Sequence, residues 1–274
     1  MNYLPATEND KKKMLEKIGV SSIEELFADI PESVRLKREL DIPEGMAEYE
    51  LKRTLLEMSN QNKNMDQLIS FLGGGAYDHY MPMIVDAILQ RSEWYTAYTP
   101  YQPEIAQGTL QNIFEFQTMV CELFGMEISN ASVYDGATAL AEAMLMACDR
   151  KKEIVVSKGV HPEYRETLET YTNGLDVEVK YAELVDLKTP LENYEKLITK
   201  DTGALVVQYP NFFGTIEDIK AVADLAHAHG ALLIVVVGDV VSLGLFEAPG
   251  NLGADIVVGE GMSFAGPINF SGPS

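Results

Sequence analysis

From residue 153 onward the chain alternates short apolar runs with helix-like stretches, and two of those runs are apolar at every position. Ala204-Leu-Val-Val207 and Leu232-Leu-Ile-Val-Val-Val237 present no polar residue to either face of a strand. A strand with one wet face alternates apolar and polar side chains, so strands of this kind must be covered on both sides. That requirement selects a mostly parallel sheet between two helical layers, an α/β fold. The strand-like segments are Glu153–Ser157, Asp176–Ala182, Gly203–Gln208, Ala231–Val237 and Asp255–Gly259. The helix-like segments are Pro162–Thr172, Pro190–Thr199 and Glu217–His229. In sheets of this type, functional groups gather beyond the strand carboxyl ends. Those ends hold His161, then Tyr209-Pro210-Asn211, then Asp239 and Ser242, then Glu260-Gly261-Met262-Ser263. Each has an ordinary reading too: His161 caps a helix, Asn211 makes a turn, and Asp239 caps the turn after its strand.

The 274 residues suit one large domain, or one domain with an extension. A formal charge of −21 repels a phosphate backbone and argues against nucleic acid as a partner. No apolar run is long enough to span a bilayer. The start, Met1-Asn2-Tyr3-Leu4-Pro5, lacks a basic segment followed by an apolar one, so no signal peptide is expected and the simplest location is the cytoplasm. Cys121 and Cys148 lie in apolar helical patterns and read as buried thiols. His227 and His229 are two apart, which puts them on different helical faces and disfavours a metal pair. No GxSxG, HExxH or P-loop pattern occurs, and no metal site is expected.

The first part of the chain is helical. Thr7 is a candidate N-cap for a helix carrying Met14, Leu15 and Ile18 and stopping at Gly19. Ser21 or Ser22 would cap a short second helix, and residues 45–63 form another. Residues 1–90 read as a helical N-terminal arm and lead-in, and 91–274 as the large domain. Gly73-Gly74-Gly75 precedes Tyr77, His79 and Tyr80; it is either a flexible turn or a close approach of backbone to a ligand. It is not a dinucleotide fingerprint, because no strand–turn–helix pattern surrounds it.

Tyr95 to Gly108 is dense in aromatics and prolines. Pro100 and Pro103 stiffen it, and Tyr95, Tyr98 and Tyr101 recur every three residues before Gln102, Glu104 and Gln107. The segment is a rigid wall for a small polar ligand, or a loop whose rings pack on the domain body. A clear helix follows over 106–125, with Leu110, Ile113, Phe114, Val120, Cys121 and Phe124 at helical spacing and Gly125 at its end. Asp135 then opens a small-residue helix through Gly136, Ala137 and Thr138. Its start could cradle a phosphate or carboxylate, or could be capped by Asp135, whose own charge would repel a phosphate.

Several of these stretches resemble one family. Tyr98-Thr-Pro-Tyr-Gln-Pro-Glu104, Gln107-Gly108, Gln117-Thr-Met-Val-Cys121, Asn130-Ala-Ser132, Gln208-Tyr-Pro-Asn-Phe-Phe-Gly214 and Pro249-Gly-Asn-Leu-Gly-Ala-Asp-Ile256 resemble the glycine cleavage system P-protein, glycine decarboxylase. The similarity is greatest to the α-subunit branch of its two-subunit bacterial form, and it covers essentially the whole chain. The resemblance implies a fold-type I large domain of the pyridoxal-phosphate-dependent transferase kind. It also implies decarboxylation of glycine on pyridoxal phosphate, with the aminomethyl group passed to the lipoyl H-protein. By the same resemblance Tyr98 and Glu104 are catalytic candidates. Tyr95, Tyr101, Gln102, Gln107 and His79 are substrate-binding candidates, and His161, Asn211 and a relic cup at Gly136, Ala137 and Thr138 are cofactor-binding candidates. Enzymes of this fold hold the cofactor on a lysine after the last core strand, where Met262 stands here; the last lysine of the chain is Lys220. The implied cofactor lysine therefore belongs to a β-subunit partner. Asp239 lies near the place where relatives set an aspartate on the pyridine nitrogen, and it is not assigned that role. Family members continue into a smaller C-terminal domain, so a chain ending at Ser274 reads as truncated before it.

Overall fold

The computed structural model describes residues 5–64, 67–71, 73–75, 77–95 and 99–265. The chain separates into two compact units, Met1–Asn64 and Met65–Ser274.

The first unit holds α1 (Glu8–Ile18), a 3-10 turn (Glu24–Phe27) and α2 (Glu48–Ser59). Thr7 caps α1 through a capping box: its hydroxyl accepts from the Asp10 amide while the Asp10 carboxylate accepts from the Thr7 amide. Gly19 closes the helix in the left-handed region at φ 89°. The expected serine cap on the next turn does not form. Instead the Glu25 carboxylate reaches back to the Ser21 amide and hydroxyl, and the 3-10 turn starts with no side-chain cap. No side chain of α1, the 3-10 turn or α2 is fully buried.

The second unit begins with α3 (Met83–Leu89) and α4 (Ser92–Tyr95), helices additional to those read from the sequence, then α5 (Gln107–Phe124) and α6 (Gly136–Ala147). Alternation follows: β1 (Glu153–Ser157), α7 (Pro162–Thr172), β2 (Glu178–Ala182), α8 (Leu191–Glu195), β3 (Thr202–Gln208), α9 (Ile219–Ala228), β4 (Leu232–Val237), β5 (Ile256–Gly259) and α10 (Met262–Ala265). The five strands form one sheet in the order β2-β1-β3-β4-β5, every pairing parallel.

Every residue of β3 is buried, and β4 is buried from Leu233 to Val237. Alternate side chains feed two separate cores, as the period of two demands. Leu205, Val207, Leu233, Val235 and Val237 pack with Val222, Ala223 and Ala226 of α9 on one face. Ala204, Val206, Ile234 and Val236 pack with Leu140, Ala143 and Met144 of α6 on the other. The sheet is therefore sheathed on both sides, which is why its sequence carries no polar alternation. Helix α8 is shorter than its pattern suggests. Tyr194 is fully buried, and Leu197 and Ile198, three and four residues on, pack on the same core beyond the end of the helix at Glu195.

Helix α5 covers the core only with its last turns. Phe124 is buried and Val120 and Leu123 pack on the core, whereas Phe114 and Met119 are exposed. Of the stripe read from the sequence, Phe124 is buried, Leu110, Ile113, Val120 and Cys121 are partly buried and Phe114 is exposed. Cys121 and Cys148 are free thiols, each only partly buried, and burial raises the Cys148 pKa. Among the described residues no helix is long and apolar enough to cross a membrane.

Candidate functional site

The carboxyl ends of β1, β3, β4 and β5 meet the start of α6 and the Gly73–Gly75 turn. After β1 the chain turns through Lys158 and Gly159 to His161, the N-cap of α7, with Pro162 at the first helical position. The His161 Nδ1 accepts from the Glu163 amide at 3.2 Å, so the ring proton sits on Nε2 and donates to the Gly74 carbonyl at 2.9 Å. The His161 amide donates to Gln208 Oε1 at 2.8 Å, locking the end of β1 to the end of β3. Its ring meets Phe212 edge-on at 5.0 Å and Tyr164 at 5.2 Å. His161 thus fastens the glycine turn to the sheet. All three glycines of that turn have positive φ, which explains the triplet.

Asn211 is buried and saturated. Its Oδ1 accepts from the Phe213 and Thr215 amides, and its Nδ2 donates to the Leu187 carbonyl and to Glu217 Oε1. The Tyr209–Pro210 bond just before it is cis. After β4, Asp239 caps a 3-10 turn (Val240–Gly244) by accepting from the Val241 amide at 3.1 Å. Its other oxygen lies 3.4 Å from Nε2 of His79, a contact without hydrogen-bond alignment that leaves this buried ring nitrogen with no hydrogen-bond partner among the described residues. No local pattern announces this pairing, because the two residues are far apart along the chain.

The start of α6 is occupied from within the chain. Asp135 Oδ1 accepts from the Thr138 amide at 2.7 Å and the Thr138 hydroxyl binds back, a second capping box. The Gly136 amide donates to Glu260 Oε1 at 2.8 Å, and the Tyr164 hydroxyl donates to the same oxygen at 2.5 Å. Burial first, and then the Glu260 charge, push the Tyr164 phenol well above its ordinary pKa, so it remains a donor. Glu260 and Tyr164 were not singled out as site residues by sequence reasoning. The strand-end position of Glu260 was the available signal; Tyr164 gave none beyond its helix.

The 99–108 stretch lies elsewhere. Glu104 and Gln107, with Pro103, Phe114 and Met119, line an open groove of about 1000 Å³ along the outer face of α5. Gln107 Nε2 donates to the Glu104 carbonyl at 3.4 Å, and Tyr101 stands exposed at 81%. Gln102 is exposed as well. Tyr98 and the Tyr95 side chain lie outside the described residues. The structure therefore groups the candidates in two places: His79, Gly136–Thr138, His161 and Asn211 belong to the strand-end region, and Glu104 and Gln107 to the α5 groove.

The glycine cleavage system P-protein family matches residues 1–274. The chain belongs to that family. Relatives named probable glycine dehydrogenase (decarboxylating) subunit 1 are 54% identical in Moorella thermoacetica, over 100% of this chain, and 52% identical in Bacillus subtilis strain 168, over 99% of it. A solved glycine decarboxylase (P-protein) of the glycine cleavage system, in inhibitor-bound form, is 44% identical, with a TM-score of 0.89 over 100% of this chain and 61% of its own. A sphingosine-1-phosphate lyase from Burkholderia pseudomallei K96243, 17% identical with a TM-score of 0.52, shares the fold alone. The chain spans 61% of the length of the P-protein relatives it matches. The α/β architecture with an all-parallel sheet is that of the P-protein fold.

P-proteins depend on pyridoxal phosphate. The strand-end groups of this chain do not fit a covalently held copy of it. Met262 stands where the cofactor lysine is expected, and Lys220 is on α9, exposed and paired with Asp224 at 3.1 Å. The helix start that would receive the phosphate is filled by Glu260 and Asp135.

Proposed function

We propose that this chain is the subunit without the cofactor lysine in a glycine dehydrogenase (decarboxylating), acting with a β subunit that carries that lysine. Together they would decarboxylate glycine on pyridoxal phosphate and pass the aminomethyl group to the lipoyl H-protein. The single observation that carries this reading is similarity over this whole chain to relatives named subunit 1, joined to Met262 at the position after β5 where a cofactor lysine is expected. In it, residues 1–90 are a helical lead-in and 91–274 the large domain. Tyr98 and Glu104 act at the glycine end of a shared site, with Tyr95, Tyr101, Gln102, Gln107 and His79 around the substrate. The exposure of Tyr101, Gln102, Glu104 and Gln107 suits a wall that a partner completes. Glycine–bicarbonate exchange, measured on each subunit alone and on the mixture, tests the reading. Exchange should require both; full exchange by the β subunit alone would refute it.

A second reading is favoured by the saturation of the strand-end groups: Asn211 and the α6 start have their polar atoms engaged within the chain. On that reading the chain is a scaffold that stabilises the β subunit or docks the H-protein. Tyr98→Phe and Glu104→Gln separate the two. A catalytic wall loses exchange activity with assembly intact, whereas a scaffold keeps both.

A further inference from the structure

Helices leave their first amides without intrahelical partners and concentrate partial positive charge there, so a helix start attracts an anion. At α6 the anion is a side chain of the same polypeptide, 124 residues away. Glu260 emerges from the end of β5 and takes the Gly136 amide and the Tyr164 hydroxyl on one oxygen. Asp135 takes the Thr138 amide on the other side of the turn. The space is closed as well as the hydrogen bonding: a Cβ on Gly136 would overlap the Tyr164 hydroxyl and lie 2.7 Å from Glu260 Oε1. A Cβ on Gly136 would therefore displace the incoming carboxylate and phenol, while the backbone angle of Gly136 itself is ordinary.

We infer that Glu260 is a built-in anion that occupies the α6 start and closes it to phosphate, tying β5 to α6 and α7. Two carboxylates at one helix start repel any third anion, and evicting Glu260 would also cost Tyr164 its acceptor. This goes beyond the proposed function and does not depend on it, since either a catalytic wall or a scaffold can carry a closed cup.

The test uses the full-length subunit, its Glu260→Ala and Glu260→Gln variants, and thermal midpoints in sodium phosphate, sodium acetate and sodium chloride at equal ionic strength. The native midpoint should show only the nonspecific, non-saturating dependence on salt type that any folded protein shows. Glu260→Ala should fall by about 2–4 °C or more and recover saturably in acetate or phosphate but not in chloride, because an anion bound only to the folded state stabilises it by mass action. Glu260→Gln keeps an oxygen for both donors, should fall less, and should show no anion-specific recovery. The Gly136 amide resonance of the native protein should not move with phosphate. A phosphate-dependent shift of that resonance in the native protein overturns the inference, and so does a folded Glu260→Ala without anion-specific recovery. If Glu260→Ala fails to fold, the native and Glu260→Gln measurements decide.

Discussion

Glu153, the first residue of β1, shows how one side chain ties distant segments. Its carboxylate receives Lys180 Nζ at 2.8 Å from the neighbouring strand and the Thr199 hydroxyl at 2.6 Å from the loop before β3. The hydrogen bond from Lys180, then that from Thr199, hold its pKa below the ordinary value of 4.5. A carboxyl whose folded pKa is depressed adds stability above its unfolded pKa and loses it as pH falls through the folded one. Glu153→Gln should therefore lower the urea midpoint at neutral pH, and the native and variant curves should converge as pH drops below 4.5. Urea titrations across that range check it; a constant offset down to acid would show that the charge is not responsible. Asn211 makes a related point. Its residue type suits a turn or a ligand contact, and its side chain makes four hydrogen bonds within the chain.

Among the elements, the end of α5 depends most on glycine. Gly125 sits at φ 69° with its amide on the Cys121 carbonyl, and the Met126 amide reaches the same oxygen at 2.9 Å. A Cβ there would meet the Asn251 side chain at 2.8 Å and the Asn251 amide at 3.1 Å, while one on Gly250 would collide with the Gly125 carbonyl. The Pro249–Ile256 stretch is thus a seat for the end of α5, which accounts for Gly250, while Gly253 closes its own turn at φ 100°. Gly125→Ala combines a left-handed backbone with this close approach and should cost about 1–2 kcal/mol or more. A denaturation midpoint indistinguishable from native would contradict the packing. Gly125 and Gly19 were legible as helix stops because the left-handed cap is a local requirement. The burial of α5 was not: its spacing marks an apolar stripe, yet only tertiary contacts leave Phe114 and Met119 outside the core.

For the molecule as a whole, apolar burial is concentrated in the sheet and its two helical faces, whereas α1 and α2 bury no side chain completely. Local opening is cheapest where few apolar contacts must be broken. Hydrogen exchange of the purified subunit should show β3 and β4 amides as the slowest and those of α1 and α2 as much faster. Equal protection of Glu8–Ile18 and Thr202–Gln208 would mean that the first unit has a core the structure does not show.

The sequence by itself determined the α/β class, the parallel sheet, five strands to within two residues at each end and the cap at Thr7, and it offered caps at Asp135 and His161 beside ligand roles that it left open. These follow from periodicity and from short-range bonding between residues a few positions apart, which a sequence displays directly. Only the tertiary structure decided what stands at the strand ends: His79 against Asp239, His161 on the Gly74 carbonyl, and Glu260 in the mouth of α6. Those meetings depend on strand order, register and loop path, so their partners lie scores of residues apart and no local pattern announces them.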